Sequence, residues 1–96
     1  MTNQSMTTTA IGKILSWGVS SFAENAAELE FVIGTENGPL DLKTEENTDP
    51  GVFSAIAALL ATAYAREETV CVTFFEDTRF VNFVGLPAQA WAGVPA

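Results

Sequence analysis

The stretch from Ile11 to Phe22 constrains the fold more than any other part of the chain. Lys13, Leu15, Trp17 and Val19 fall on one face of this run, and Gly12, Ile14, Ser16, Gly18 and Ser20 on the other. A period of two sustained over this length specifies a long β-strand with one bulky face. Gly12 and Gly18 lie inside it, and glycines within a strand mark bulges or sharp coiling. A strand that coils in this way can serve both halves of a closed sheet.

The remaining elements follow from the same patterning. After a polar turn over Ala23 to Ala27, Leu29, Phe31 and Ile33 alternate with Glu28, Glu30 and Val32, which predicts a second strand with its charges outside. Asn37-Gly38 suits a tight hairpin, and Pro39 leads into Leu40 and Leu42 with Asp41 and Lys43 facing outward. Thr44 to Asp49 is polar and ends in Asp49-Pro50, a helix start in which the carboxylate caps first-turn N–H groups and proline needs no donor. Val52, Phe53, Ile56, Leu59, Leu60, Ala63 and Tyr64 then recur at helical spacing. The opposite helix face carries Ser54, Ala55, Ala58, Ala61, Thr62 and Ala65 where Lys and Glu are usual, so a second body can approach it closely. Alanine's helix propensity explains the same composition without a partner. The helix gives way at Arg66-Glu67-Glu68. Thr69 to Phe75 and Arg79 to Leu86 read as two further strands, the last apolar on both faces apart from Asn82.

The order is therefore strand, strand, strand, helix, strand, strand. That is the order of the five-stranded OB-fold barrel, a mainly β architecture in which one helix plugs an end. An open α+β sheet with the helix on one side is the competing arrangement. The expected core is Leu15, Trp17, Val19, Leu29, Phe31, Ile33, Leu42, Val70, Val72, Phe80 and Val84, together with the apolar helix face. One domain over residues 11–86 is expected, preceded by a flexible polar arm over residues 1–10 and followed by a tail over residues 87–96. The arm has no basic stretch leading into an apolar run, so no signal peptide is read there. The chain as written is expected to be cytoplasmic, or secreted if a leader has been removed. No run approaches the ~18 apolar residues of a membrane-spanning helix.

At this point composition excludes whole classes. Four Lys and Arg stand against twelve Asp and Glu, a formal charge of −8, and nucleic-acid binding rests on cations contacting phosphate. Charged residues make up 17% and hydrophobic ones 48%, the balance of a folded domain. The helix from Pro50 to Ala65 carries no acid, so the surplus charge reads as a solubility coat around an uncharged contact surface. Cys71 is the single cysteine, which leaves no intrachain disulfide and no Cys-x-x-Cys pair.

The segment DPGVFSAIAALLATAYAREETVCVTFFEDTRFVNFVGL resembles the helix-plus-two-strand half of small bacterial OB-fold proteins similar to the subtilase cytotoxin B subunit. In these, an apolar, small-residue helix ends near a tyrosine and a β-branched strand follows a short turn, as Tyr64 to Val72 does here. The front half is similar too, since Gly12-Lys13-Ile14 opens a long first strand and a hairpin precedes the helix. The resemblance implies a non-enzymatic subunit of a pentameric ring whose helices line the central pore. In the toxins that subunit binds a cell-surface glycan and accompanies an enzymatic partner. The positions that match the toxin's sugar-contacting serine and tyrosine are Ile11 and Phe74, both without a hydroxyl. The toxin subunit's disulfide cysteines and export leader have no counterpart in this chain.

Candidate chemistry is sparse. Without histidine, Ser-His-Asp and Cys-His mechanisms have no base, and catalysis would depend on carboxylates alone. An enzyme is therefore not expected, nor is a cofactor. Glu45, Glu46 and Asp49 form the densest acidic cluster but lack the Asp/Asn-Gly spacing of a calcium loop, and read as a solvated loop with a helix cap. Glu76 and Asp77 read as turn residues, and no cleft pairs them as a glycosidase would need. Cys71 has no nearby cation to lower its pKa and reads as packing. Trp17 is the ligand-stacking candidate, although its phase with Leu15 and Val19 favours core packing. Phe74 and Trp91 complete the possible ligand or interface set. Ser54, Ala58, Ala61 and Thr62 form the possible helix interface. Phe22, Phe74, Phe75 and Phe83 could stack bases, but no basic groove accompanies them.

Overall fold

The computed structural model describes residues 6–23, 26–45 and 48–86. Five strands and one helix follow in the order β1 (Thr7–Ala23), β2 (Ala26–Thr35), β3 (Gly38–Lys43), α1 (Pro50–Arg66), β4 (Thr69–Phe75) and β5 (Val81–Gly85). All neighbouring strands are antiparallel, in the sheet order β3-β2-β1-β4-β5. The outer strands meet at one further point, where Lys43 at the end of β3 forms a parallel bridge with Phe80 just before β5. There the Lys43 N–H donates to the Arg79 carbonyl at 3.2 Å. The Lys43 ammonium also lies 5.7 Å from the centre of the Phe80 ring.

β1 is the central strand and has two partners in succession. Thr7 to Lys13 pair with β4, and the strand pairs with β2 from Lys13 onward. Its first four residues were expected in a flexible arm. Thr7 to Ala10 instead pair with Phe75 to Val72, because β-branched threonine suits an extended backbone and β4 offers a complete edge. The Gly12 position explains the handover between partners: a Cβ there would lie 2.0 Å from the Gly34 carbonyl oxygen, so only glycine allows β1 and β2 to approach so closely.

The bulge falls at Leu15. Ile14 pairs with Ile33 and Ser16 with Val32, so Leu15 is an extra residue that reverses the strand's phase. Leu15, expected in the core, is therefore 52% exposed, and Val19, also expected there, is 54% exposed. Leu15 has been turned to the other face, where its methyl groups lie over Gly34. Val19 keeps the inward phase opposite Leu29 but is not among the residues packed on the core. Ile14 takes the core place instead, and Trp17 packs half-buried against the core. The described core is Ile14, Leu29, Phe31, Ile33, Leu42, Leu60, Ala63, Val70, Val72 and Phe74. Val84 packs on its margin, and Phe80 is half-buried at the bridge.

The local signals for the hairpin and helix act nearly where expected. The β2–β3 turn is Glu36-Asn37, one residue earlier than the Asn-Gly pair suggests, and Gly38 supplies the positive φ of 110° that ends it. The Thr35 hydroxyl fixes this turn, donating to the Gly38 carbonyl at 2.8 Å and accepting the Asn37 N–H at 3.1 Å. Buried Thr44 controls the exit from β3: its N–H donates to the Leu29 carbonyl at 2.9 Å, and its hydroxyl accepts the Leu29 N–H at 3.1 Å. Asp49 Oδ2 caps the helix by accepting from Gly51 and Val52 at 2.9 and 3.2 Å. The helix ends on Glu67 in the left-handed conformation (φ 53°), with the Glu68 N–H returning to the Ala63 carbonyl at 2.9 Å. Leu60 and Ala63 are its buried residues, and Phe53, Ile56, Ala57 and Leu59 pack on the core. Val52 and Tyr64, expected on the apolar face, are about half exposed because each sits at its border in the outermost turns.

Candidate ligand cavity

Where β1 leaves β2, a gap opens between its first half and the tip of the β2–β3 hairpin. This cavity measures about 660 Å³, within the range of small-ligand sites. Thr8, Thr9, Ala10 and Ile11 form one wall, Thr35 to Leu40 the other, and Phe74 reaches it from β4. Thr8 and Ala10 lie opposite Phe74 and Val72, whose side chains are buried, so the inner side of the wall continues into the core. The lining combines apolar surface with hydroxyl groups, the Asn37 amide and one carboxylate, Glu36, but no Lys or Arg among the described residues. The Thr8 hydroxyl donates to the Glu76 carboxylate, and the Glu76 N–H donates to the Met6 carbonyl at 2.9 Å. These contacts tie the start of β1 to the turn after β4.

A second, shallower groove of about 290 Å³ runs over the outer face of β1–β3, between Ser16 to Ser20 and the outward residues Glu30, Val32 and Asp41. Trp17 borders it while packing on the core, so the indole serves both surroundings. Glu30 and Asp41 are diagonal neighbours here, since Glu30 pairs with Lys43 and Val32 with Asp41. The Asp41 charge beside it, with a hydrogen bond between the two carboxyls, raises the Glu30 pKa; slight burial and Glu28 add to this, and Lys43 opposes it. Lys43 also reaches Glu28 at 3.9 Å.

The other residues singled out from sequence are dispersed. Phe74 is buried at the cavity floor, with the Arg79 guanidinium 5.9 Å from its ring centre. Trp17 lies at the outer groove instead, and Trp91 falls outside the described residues. Ser54, Ala58 and Thr62 are exposed on α1, whereas Ala61 is half-buried. Cys71 is buried, and burial pushes its thiol pKa up, away from reactivity. Asp49 is occupied as the helix cap, and Glu46 falls outside the described residues. No described group of three or more Cys, Asp or Glu side chains could hold a metal ion, and no described helix is long and apolar enough to cross a membrane.

Sequence reasoning missed Thr8 and Thr9 as wall residues because they stood in the expected arm. It matched Ile11 and Phe74 through the family resemblance, and both line the cavity beside the β2–β3 hairpin. Comparison with known protein families, characterised proteins and solved structures finds no match to this chain.

Proposed function

We propose that this chain is a non-enzymatic binding subunit built on a closed OB-type barrel, working as a homo-oligomer and taking its ligand in the cavity between β1 and the β2–β3 hairpin. Closure is supported by the sheet order together with the Lys43–Phe80 bridge between the outer strands. Such a barrel has β3 and β5 adjacent, the helix lying between β3 and β4 in the chain. Oligomerisation is supported by the small side chains of Ser54, Ala58 and Thr62 on the outer helix face. Five copies is the stoichiometry that the toxin-subunit resemblance implies.

The observation that carries the reading is the cavity itself, a mixed apolar and hydroxyl-lined space next to the buried core. Catalysis finds little support in it. Glu36 is the one titratable side chain in its lining, and the whole chain has no histidine.

A second reading, a glycan-binding subunit that delivers an enzymatic partner, draws on the meeting of Ile11 and Phe74 at the cavity. A printed array of neutral glycans, anionic glycans and short peptides, probed with the labelled chain, tests the site. Ile11→Trp, which narrows the entrance, is expected to lose the compounds that the unaltered chain retains, with circular dichroism unchanged. Equal retention by both proteins overturns the cavity assignment.

A further inference from the structure

In the first half of β1, one edge is occupied by β4 and the other faces the cavity. Backbone alternation identifies the groups on each. The Phe75 N–H donates to the Phe80 carbonyl, and the Phe75 carbonyl accepts from the Arg79 N–H, so Phe75 spends both backbone groups on the β5 side. In an antiparallel ladder the direction reverses at every residue, so Phe74 and Val72 turn theirs toward β1, onto Thr8 and Ala10. Thr7, Thr9 and Ile11 therefore direct their N–H and C=O groups away from β4. From Thr7 to Gly12, β4 is the only described partner strand, because pairing with β2 begins at Lys13. The row from Thr7 to Ile11 spans roughly 14 Å at the usual strand rise, enough for a peptide of about five residues.

We propose that the cavity binds an extended peptide segment of another protein, which adds as a strand to the Thr7–Ile11 edge of β1. This assigns a ligand class to the cavity and rests on the binding-subunit reading above. Backbone recognition explains why the wall supplies a row of donors and acceptors beside modest side chains. Alternate peptide side chains would turn inward toward Ala10, Leu40 and Phe74, where small apolar groups fit. The intervening ones would face Glu36 and solvent. With Glu36 as the one charge in the lining, no cation there and a chain charge of −8, the complementary peptide is basic at those positions.

The test uses acetylated, amidated Lys-Val-Lys-Val-Lys as probe, titrated into the full chain while amide shifts and hydrogen exchange are followed. Exchange at the Thr7, Thr9 and Ile11 amides is expected to slow on binding. Thr9→Pro removes one edge donor without touching the β4 ladder and is expected to weaken the peptide about tenfold. If Thr9→Pro does not fold, peptides N-methylated at either the valines or the lysines make the corresponding deletion from the ligand side, and one of the two must weaken binding. Glu-Val-Glu-Val-Glu is expected to bind more weakly than the lysine peptide.

Peptide binding that leaves the three amides unprotected overturns the proposal. So do equal affinities for all the N-methylated forms, or protection that rises with protein concentration alone, which would make the occupant a second copy. A neutral glycan that shifts the cavity lining where peptides do not overturns the peptide class while leaving the cavity reading standing. If neither class shifts the lining, the cavity reading fails as well.

Discussion

Gly12 and Gly18 look alike in the sequence, yet they have opposite surroundings. A Cβ at Gly12 meets the Gly34 carbonyl oxygen at 2.0 Å, whereas one at Gly18 meets nothing within 4 Å. Gly12→Ala is therefore expected to separate β1 from β2 and cost more than about 3 kcal/mol. Gly18→Ala should be neutral or stabilise by up to about 1 kcal/mol, because alanine has less unfolded-state freedom to lose. Urea midpoints of the two variants check the contrast. Glu30 gives a second test at this scale. Asp41 makes its folded carboxyl hold a proton to higher pH than the unfolded one does, so the charged pair destabilises the native state at neutral pH. That penalty is relieved as pH falls through the raised folded value, with no further gain below the unfolded one. Glu30→Gln is expected to stabilise at neutral pH by under about 1 kcal/mol, since the pair is exposed to solvent, and to reduce the gain on mild acidification. Denaturation at the two pH values reads both effects.

At the scale of elements, legibility depended on whether the signal was local. Alternation placed β2, β3 and β4 with their inward residues Leu29, Phe31, Ile33, Leu42, Val70 and Val72, because a strand with one covered face writes its phase into neighbouring positions. Asp49-Pro50 marked the helix start for a similar reason. Asp49→Ala is expected to cost about 1 kcal/mol by removing the acceptor for the Gly51 and Val52 N–H groups, measurable as a lower thermal midpoint. The phase reversal at Leu15 was not legible, since one inserted residue between Ile14 and Ser16 has no composition of its own. Glycines at 12 and 18 signalled that β1 bends but not where its face switches. Thr44 is another non-local case, a polar residue in a polar stretch that is buried because it exchanges two hydrogen bonds with Leu29. Thr44→Val keeps the shape and deprives the Leu29 N–H of its acceptor. The expected loss is about 1–3 kcal/mol, with Leu29 among the amides whose exchange quickens most.

For the molecule as a whole, the candidate site arises from a departure between strands. The cavity exists because β1 passes from β4 to β2 at Lys13 while the hairpin continues beyond it, and no single segment carries that geometry. Phe74 was singled out as a possible ligand residue and not as core, and Thr8, Thr9 and the hairpin tip became wall residues only through topology. The helix carries no acid from Pro50 to Ala65, and Ser54, Ala58 and Thr62 leave an uncharged surface on its outer face. Such a chain is proposed to work as one subunit of a larger binding assembly. Multi-angle light scattering on the purified chain over a range of concentrations tests it most directly. A closed oligomer near five times the 10.2 kDa chain mass is expected, whereas 10.2 kDa at every concentration would contradict assembly.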